Sequence, residues 1–349
     1  MCCHNTAKLT LKDYVGQIDQ KLAEYFDKEM LCDFGFNTRQ KQVVREMLLH
    51  SKEHNLRRSK RLRSSFVHYG YQLEGKKADD KIWQAAMAVE LVHSGILMHD
   101  DIQDRDVLRR GGPTTHEFYR KKMGGDLHLG EAIGINAGIL LQSLGYEMLA
   151  KCGSTDAMVK MLRGVSNTAY GQSYDILLEF EKKWSEDDII ALHKAKTAIY
   201  TYENPLFIGA LLAKLPQKAL SILHDYSMDG GVAFQLQDDI LGVFGDEEET
   251  GKSADSDLKQ GKSTLLVLKA FDEPTVQKVW GDMNATRVDL DAAKQVIINC
   301  GSLEYNRKLA KEFATKAAVT ASKLRGLNLD TEAVDYIQGI AEYMVEREV

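Results

Sequence analysis

Four prolines in 349 residues (Pro113, Pro205, Pro216 and Pro274) leave this chain few places where a helix is forced to stop. Proline has no amide proton to give and its ring collides with the preceding turn, so long stretches without it are free to stay helical. Apolar residues recur at helical spacing: Leu11, Val15, Ile18, Leu22, Tyr25 and Phe26 share one stripe of residues 9–30, and residues 42–50 form a second amphipathic stretch. No strand-type alternation of useful length appears, and no 20–50-residue repeat or low-complexity linker divides the chain. The chain therefore reads as all-α, a single domain over residues 1–349, with residues 1–8 expected as a disordered N-terminus.

Composition narrows the function. A formal charge of -6 argues against bulk nucleic-acid binding, which needs a basic footprint. The five cysteines are scattered and form no CxxC pair, so neither a disulfide framework nor a zinc site is signalled. The first thirty residues lack the apolar core of a signal peptide, and no apolar run is long enough for a transmembrane segment. A reduced, cytoplasmic setting is the expectation.

The most informative stretch is Glu90-Leu-Val-His-Ser-Gly-Ile-Leu-Met-His-Asp-Asp-Ile-Gln-Asp104, an apolar helix ending in Asp100, Asp101 and Asp104. Asp100 and Asp104, four residues apart, share a helix face. Carboxylates stacked this way repel and take up protons unless a cation lies between them, and an all-oxygen pair suits a hard ion such as Mg²⁺. A solvated acidic helix end has the same pattern. Asp238 and Asp239 close a second apolar helix in the same manner. Two such helices facing each other make a metal-lined mouth above an apolar cavity, which suits a diphosphate carrying a hydrocarbon tail.

Cations flank both ends. Residues 57–63, Arg-Arg-Ser-Lys-Arg-Leu-Arg, hold five basic residues in seven and read as a solvated face, a nucleic-acid patch or a phosphate-binding cluster. Arg109 and Arg110 follow the first aspartates, before a loop marked by Gly111, Gly112 and Pro113, and guanidinium groups there can grip diphosphate in a bidentate way. Lys194 and Lys196 interrupt an apolar pattern on a helix expected from Ile189 to about Tyr202. Gly95, inside the aspartate helix, costs roughly 1 kcal/mol against alanine and points either to close packing or to room for a ligand.

Taken together and in order, these elements resemble the trans-type isoprenyl diphosphate synthases, the polyprenyl synthetase family. The resemblance rests on Lys60-Arg-Leu-Arg63, His93, Asp100-Asp-Ile-Gln-Asp104, Arg109-Arg-Gly111, Pro113-Thr-Thr-His116, Gly171-Gln172 with Asp175, Lys196-Thr197, Phe234-Gln-Leu-Gln-Asp-Asp239, Gly251-Lys252 and Gly261-Lys262. A DDxxD motif alone is weak, but ten elements in order are specific. The resemblance implies a helical bundle of the isoprenoid synthase type with a central apolar cavity. It also implies Mg²⁺ held by Asp100, Asp104 and Asp238, with Asp101 and Asp239 in support. Arg109, Lys196, Thr197, Gln235, Lys252 and Lys262 would contact the allylic diphosphate. Lys60, Arg63, His93 and Arg110 would form the isopentenyl diphosphate site. Lys194 keeps a surface reading, and a homodimer is expected.

Product length follows from the same resemblance. The positions four and five before the first aspartate, here Ile96 and Gly95, help set the floor of the tail pocket in this family. Neither is aromatic, so a C20 product is expected over C10 or C15, and Gly95→Phe is expected to shorten it. The chain departs from the family pattern at Ser59, Ser64, Ile139 and Gly242, the last standing where a third aspartate often closes the second motif. Two other readings compete. A class I terpene cyclase needs no isopentenyl diphosphate site, and a non-catalytic subunit of a heteromeric synthase commonly degrades its aspartate motifs.

Overall fold

The computed structural model describes residues 3–32, 35–245 and 255–346. Helices form where the apolar spacing places them: α1 (Cys3–Glu29), α2 (Thr38–Leu56), α3 (Leu62–Gln72), α4 (Asp80–Gln103), α5 (Thr115–Lys122), α6 (Leu127–Lys151), α7 (Thr155–Glu181), α8 (Glu186–Leu192), α9 (Asn204–Ala213) and α10 (Gln217–Phe244). Short helices follow at Ser256–Gln260, Leu265–Leu268 and Pro274–Val279, then longer ones at Arg287–Asn299, Ser302–Ser322 and Thr331–Val345. Many begin on a side chain that accepts from the first turn: Asp79 from Ile82, Asp126 from Leu129 and Ser154 from Ala157. Such caps satisfy amides that have no partner inside the helix. Residues 3–8, expected as a disordered N-terminus, fall within the bounds of α1.

Two local features escape helical periodicity. Leu108–Arg109 (β1) pairs antiparallel with Gly112–Pro113 (β2), making a small hairpin just beyond the first aspartates. The expected helix at residues 189–202 is also divided. After α8, residues His193–Glu203 wind as a π-helix, a rare form that is enriched at functional sites.

The core has two parts. The larger gathers α1, α3, α4, α6, α9 and α10 with the C-terminal helices, around residues such as Phe26, Phe66, Leu91, Tyr202 and Tyr226. The smaller lies under Trp184 and Trp280, with Leu236 and Ile240 of α10. The π-helix packs against α7, α9 and α10, so its polar residues are fixed from several sides. Among the described residues no helix is long and apolar enough to cross a membrane.

Candidate active site

The acidic end is built from α4, α7 and the π-helix. Asp100 lies in the last turn of α4 and Asp104 caps it, its amide donating to the Asp100 carbonyl at 2.8 Å. Lys196 Nζ donates to Asp175 Oδ2 at 2.8 Å and stands 4.0 Å from Asp100 Oδ1. Lys262 Nζ donates to Asp104 Oδ1 at 2.8 Å and lies 3.1 Å from Glu179 Oε1. Gln172 Nε2 also donates to Asp104 Oδ1, at 3.2 Å. Burial works to lower the pKa of Lys196, but Asp175 and Asp100 outweigh it and hold the ammonium form. Each acidic group here thus has a lysine beside it.

Arg109 ties this end to the hairpin. Its Nε donates to Asp101 Oδ1 at 2.6 Å and its Nη2 to Asp106 Oδ2 at 2.7 Å, with Asp100 Oδ2 at 3.9 Å. Asp106 also accepts from Gln260 Nε2 at 2.6 Å. Burial pushes the Asp101 carboxyl up to about 7, against the pull of Arg109. The expectation that Arg109 faces a diphosphate is therefore refined: most of its donors are taken by carboxylates of its own chain.

The second motif lies across the π-helix. Thr197 Oγ1 donates to Gln235 Oε1 at 2.6 Å, and Gln235 Nε2 donates to Asp239 Oδ1 at 2.8 Å. His193 Nε2 is 3.2 Å from Asp239 Oδ2. Lys60 Nζ stands 4.0 Å from Asp238 Oδ1 and 5.6 Å from the centre of the Phe234 ring. Neighbouring residues 196 and 197 thus serve the two aspartate motifs.

The cationic end has a different character. Arg63 Nη1 lies 2.9 Å from His93 Nε2, its Nη2 donates to Thr201 Oγ1 at 2.7 Å, and its guanidinium sits over the Tyr200 ring. Burial, reinforced by Arg63, Arg110 and Arg109, drives the His93 pKa far down, so the ring is neutral. A guanidinium can only donate, so His93 Nε2 accepts and Nδ1 carries the proton. Burial and the neighbouring Arg61 lower Arg110 to about 10, with Glu90 pulling the other way. Among the described residues, Arg63 Nε, His93 Nδ1 and Arg110 Nη1 are buried donors without an acceptor. Buried donors are seldom left unmatched in folded proteins, and three together are a set that an anion or ordered water can satisfy.

Several expected site residues stand elsewhere. Lys252 and Gly251 lie outside the described residues. At Gly95 a Cβ would meet Gly138 O of α6 at 2.5 Å and Gln142 Cγ at 2.9 Å, so glycine here permits close packing of α4 on α6. Gly95→Phe, expected to shorten the product, would also press against α6 at Gly138 and Gln142. Ile96 is half-buried against the larger core and keeps its candidacy. Gly242 finds its reason in Asp257, whose carboxylate fills the space that a Cβ at 242 would take. Ser64 uses an amide that proline lacks, donating to Glu90 Oε1 at 3.1 Å. Asp175, Gln172 and Glu179 were not assigned roles from sequence, although the Gly171-Gln172 and Asp175 pattern carried the signal for two of them.

A magnesium ion fits the donor set with one condition. Among the described residues no group of three His, Cys, Asp or Glu side chains is placed to hold a metal by itself. Asp100 and Asp104 still offer hard oxygens from one helix end, and Mg²⁺ is commonly held by one or two carboxylates plus substrate phosphates.

Residues 45–299 match the family model described as polyprenyl synthetase. The geranylgeranyl diphosphate synthase of Methanosarcina mazei is 35% identical over 269 residues, 76% of this chain and 78% of that protein. The geranylfarnesyl diphosphate synthase of Aeropyrum pernix is 32% identical, over 79% of this chain and 86% of its own length. A solved geranylgeranyl pyrophosphate synthase from Corynebacterium glutamicum, complexed with isoprenyl diphosphate and magnesium, superposes with a TM-score of 0.87 at 25% identity, covering 97% of this chain and 99% of that one.

Proposed function

The chain belongs to the polyprenyl synthetase family and is a prenyltransferase of that family, and from that premise we propose that it joins isopentenyl diphosphate to an allylic diphosphate, with a C20 trans-prenyl diphosphate as product. The observation that carries this reading is the set of buried, unmatched donors at Arg63, His93 and Arg110. They form a second anion site, separate from the lysine-flanked aspartates, and chain elongation needs two diphosphates bound at once. A terpene cyclase of the same fold needs only one.

In this reading Lys196 and Lys262 leave their carboxylate partners to grip the allylic diphosphate, with Thr197 and Gln235 beside them, and Lys252, outside the described residues, is a further contact by family resemblance. Asp100 and Asp104, with Asp238 opposite, would hold Mg²⁺, which supplies charge stabilisation for the departing diphosphate. Lys60, Arg63, His93 and Arg110 hold isopentenyl diphosphate, with His93 Nδ1 donating as a neutral ring. Holding both substrates in place turns a bimolecular encounter into a reaction within one complex. The allylic C–O bond breaks, the double bond of isopentenyl diphosphate attacks the allylic carbon, and a proton passes to the released diphosphate. The apolar helix walls exclude water from the cationic carbon.

The same proposal includes a cytoplasmic homodimer. Its support is an exposed apolar face: Ile135 and Ile139 on α6, with Val159, Leu162, Tyr170 and Leu177 on α7. Large exposed apolar patches mark interaction surfaces. C20 rests on the non-aromatic Ile96 and on relatives named for C20 and C25 products.

The purified chain alone, given isopentenyl diphosphate, magnesium and each allylic starter in turn, should release inorganic diphosphate and a linear C20 diphosphate by mass analysis. A cyclised hydrocarbon would favour the cyclase reading, and no consumption of isopentenyl diphosphate would favour the non-catalytic subunit.

A further inference from the structure

The hairpin β1–β2 presents Arg110 at its tip, in a backbone conformation that arginine disfavours. Its two central residues both have positive φ, 53° at Arg110 and 75° at Gly111. This is the pattern of a type I′ turn, in which asparagine or glycine usually takes the first central position. Something outside the turn must hold it.

Arg57, immediately after α2, is placed to do so. Its Nη1 donates to the carbonyls of Arg109 at 3.0 Å and Pro113 at 2.9 Å, one on each strand of the hairpin. Glu53, one turn earlier, grips the guanidinium from the other side: Arg57 Nε and Nη2 donate to its two carboxylate oxygens at 2.8 and 2.7 Å. The fit leaves no slack at Gly112, where a Cβ would stand 2.6 Å from Arg57 Cζ. The guanidinium therefore bridges both strands, oriented by a bidentate carboxylate.

We propose that Arg57, braced by Glu53, is a positioning residue that fixes the hairpin turn and so aims Arg110 at isopentenyl diphosphate. The inference rests on the reading of Arg110 as part of that substrate's site. It separates Arg57 from the neighbouring basic residues, since its donors are spent on backbone carbonyls and Glu53. Arg57 also lines an open cleft of about 480 Å³ with His50, Phe118 and Tyr119. Its truncation widens a surface cleft and leaves the core filled.

Steady-state kinetics on the full-length enzyme test this. Arg57→Ala should raise KM for isopentenyl diphosphate about tenfold, the size of one or two lost hydrogen bonds, while KM for the allylic diphosphate stays within about twofold. Arg57→Lys, which can reach a single carbonyl, should recover part of the loss. Gly112→Ala should reproduce the same selective rise by displacing the guanidinium, and should add little in the Arg57→Ala background. A folded Arg57→Ala enzyme with unchanged KM for isopentenyl diphosphate overturns the proposal, as do Arg57→Ala and Gly112→Ala effects that simply multiply. If Arg57→Ala does not fold, Gly112→Ala and Arg57→Lys decide by the same KM. A wild-type enzyme that consumes no isopentenyl diphosphate overturns the functional reading itself, and this proposal with it.

Discussion

The two ends of the site balance their charge in opposite ways. At the acidic end, carboxylates and lysines have already found one another: Lys196 with Asp175, Lys262 with Asp104, Arg109 with Asp101 and Asp106. The atoms left over there are acceptors, such as Asp101 Oδ2 and Gln172 Oε1. At the cationic end the leftovers are donors, on Arg63, His93 and Arg110. The first end must exchange partners to bind anything. The second keeps donors in reserve. In the proposed assignment isopentenyl diphosphate docks on the cationic end as it stands, whereas the allylic diphosphate must bring cations that draw the carboxylates away from their lysines.

The comparison breaks first at Asp100. Asp100→Ala removes a carboxylate proposed to hold Mg²⁺ and frees Lys196 from one of its two carboxylates, so kcat should fall about a thousandfold with the melting temperature little changed. Near-normal turnover would remove Asp100 from the metal assignment. A middle-sized effect belongs to the other end. Arg110→Ala should raise KM for isopentenyl diphosphate roughly thirtyfold, as expected for a lost charge-assisted hydrogen bond, and leave KM for the allylic substrate nearly unmoved. Equal rises in both would show that the two ends are not independent sites.

The basic run at residues 57–63 shows how far sequence could reach. It was legible as a phosphate cluster only through the family resemblance, and the structure gives its members separate work. Arg63 lies beside His93, and Lys60 stands near Asp238 of the second aspartate motif. Arg61 is buried, bound to Glu90 at 2.8 Å and Asp19 at 2.7 Å, and it anchors α3 against α1 and α4. Helix periodicity could not separate these residues because the split depends on partners 29 and 42 residues away. The same applies to Gln260 and Asp106, 154 positions apart. The aspartate helices were legible because their signal is local, an apolar run with carboxylates at one-turn spacing. The π-helix was not, since apolar spacing over eleven residues hardly distinguishes it from an α-helix. Yet it is the element that touches both aspartate motifs and, through Tyr200 and Thr201, Arg63.

The smallest expected effect asks how completely the acidic end is paired. Glu179 lies one turn after Asp175 on α7, and its Oε1 is 3.1 Å from Lys262 Nζ. Burial pushes its carboxyl from the ordinary 4.5 up to about 7, with Lys262 opposing and Asp175 reinforcing the rise. Between those two values the folded protein holds a proton that the unfolded chain has lost. Stability from this group is therefore present at low pH and is lost as pH rises through about 7. Glu179→Gln, neutral throughout, should flatten that part of the curve, narrowing the difference between melting temperatures at about pH 5 and about pH 8. An unchanged difference would mean that Lys262 keeps Glu179 ionised across the range. The acidic end would then be more tightly paired than the geometry alone requires, and Lys262 would have two charged carboxylates to leave before it could reach a diphosphate.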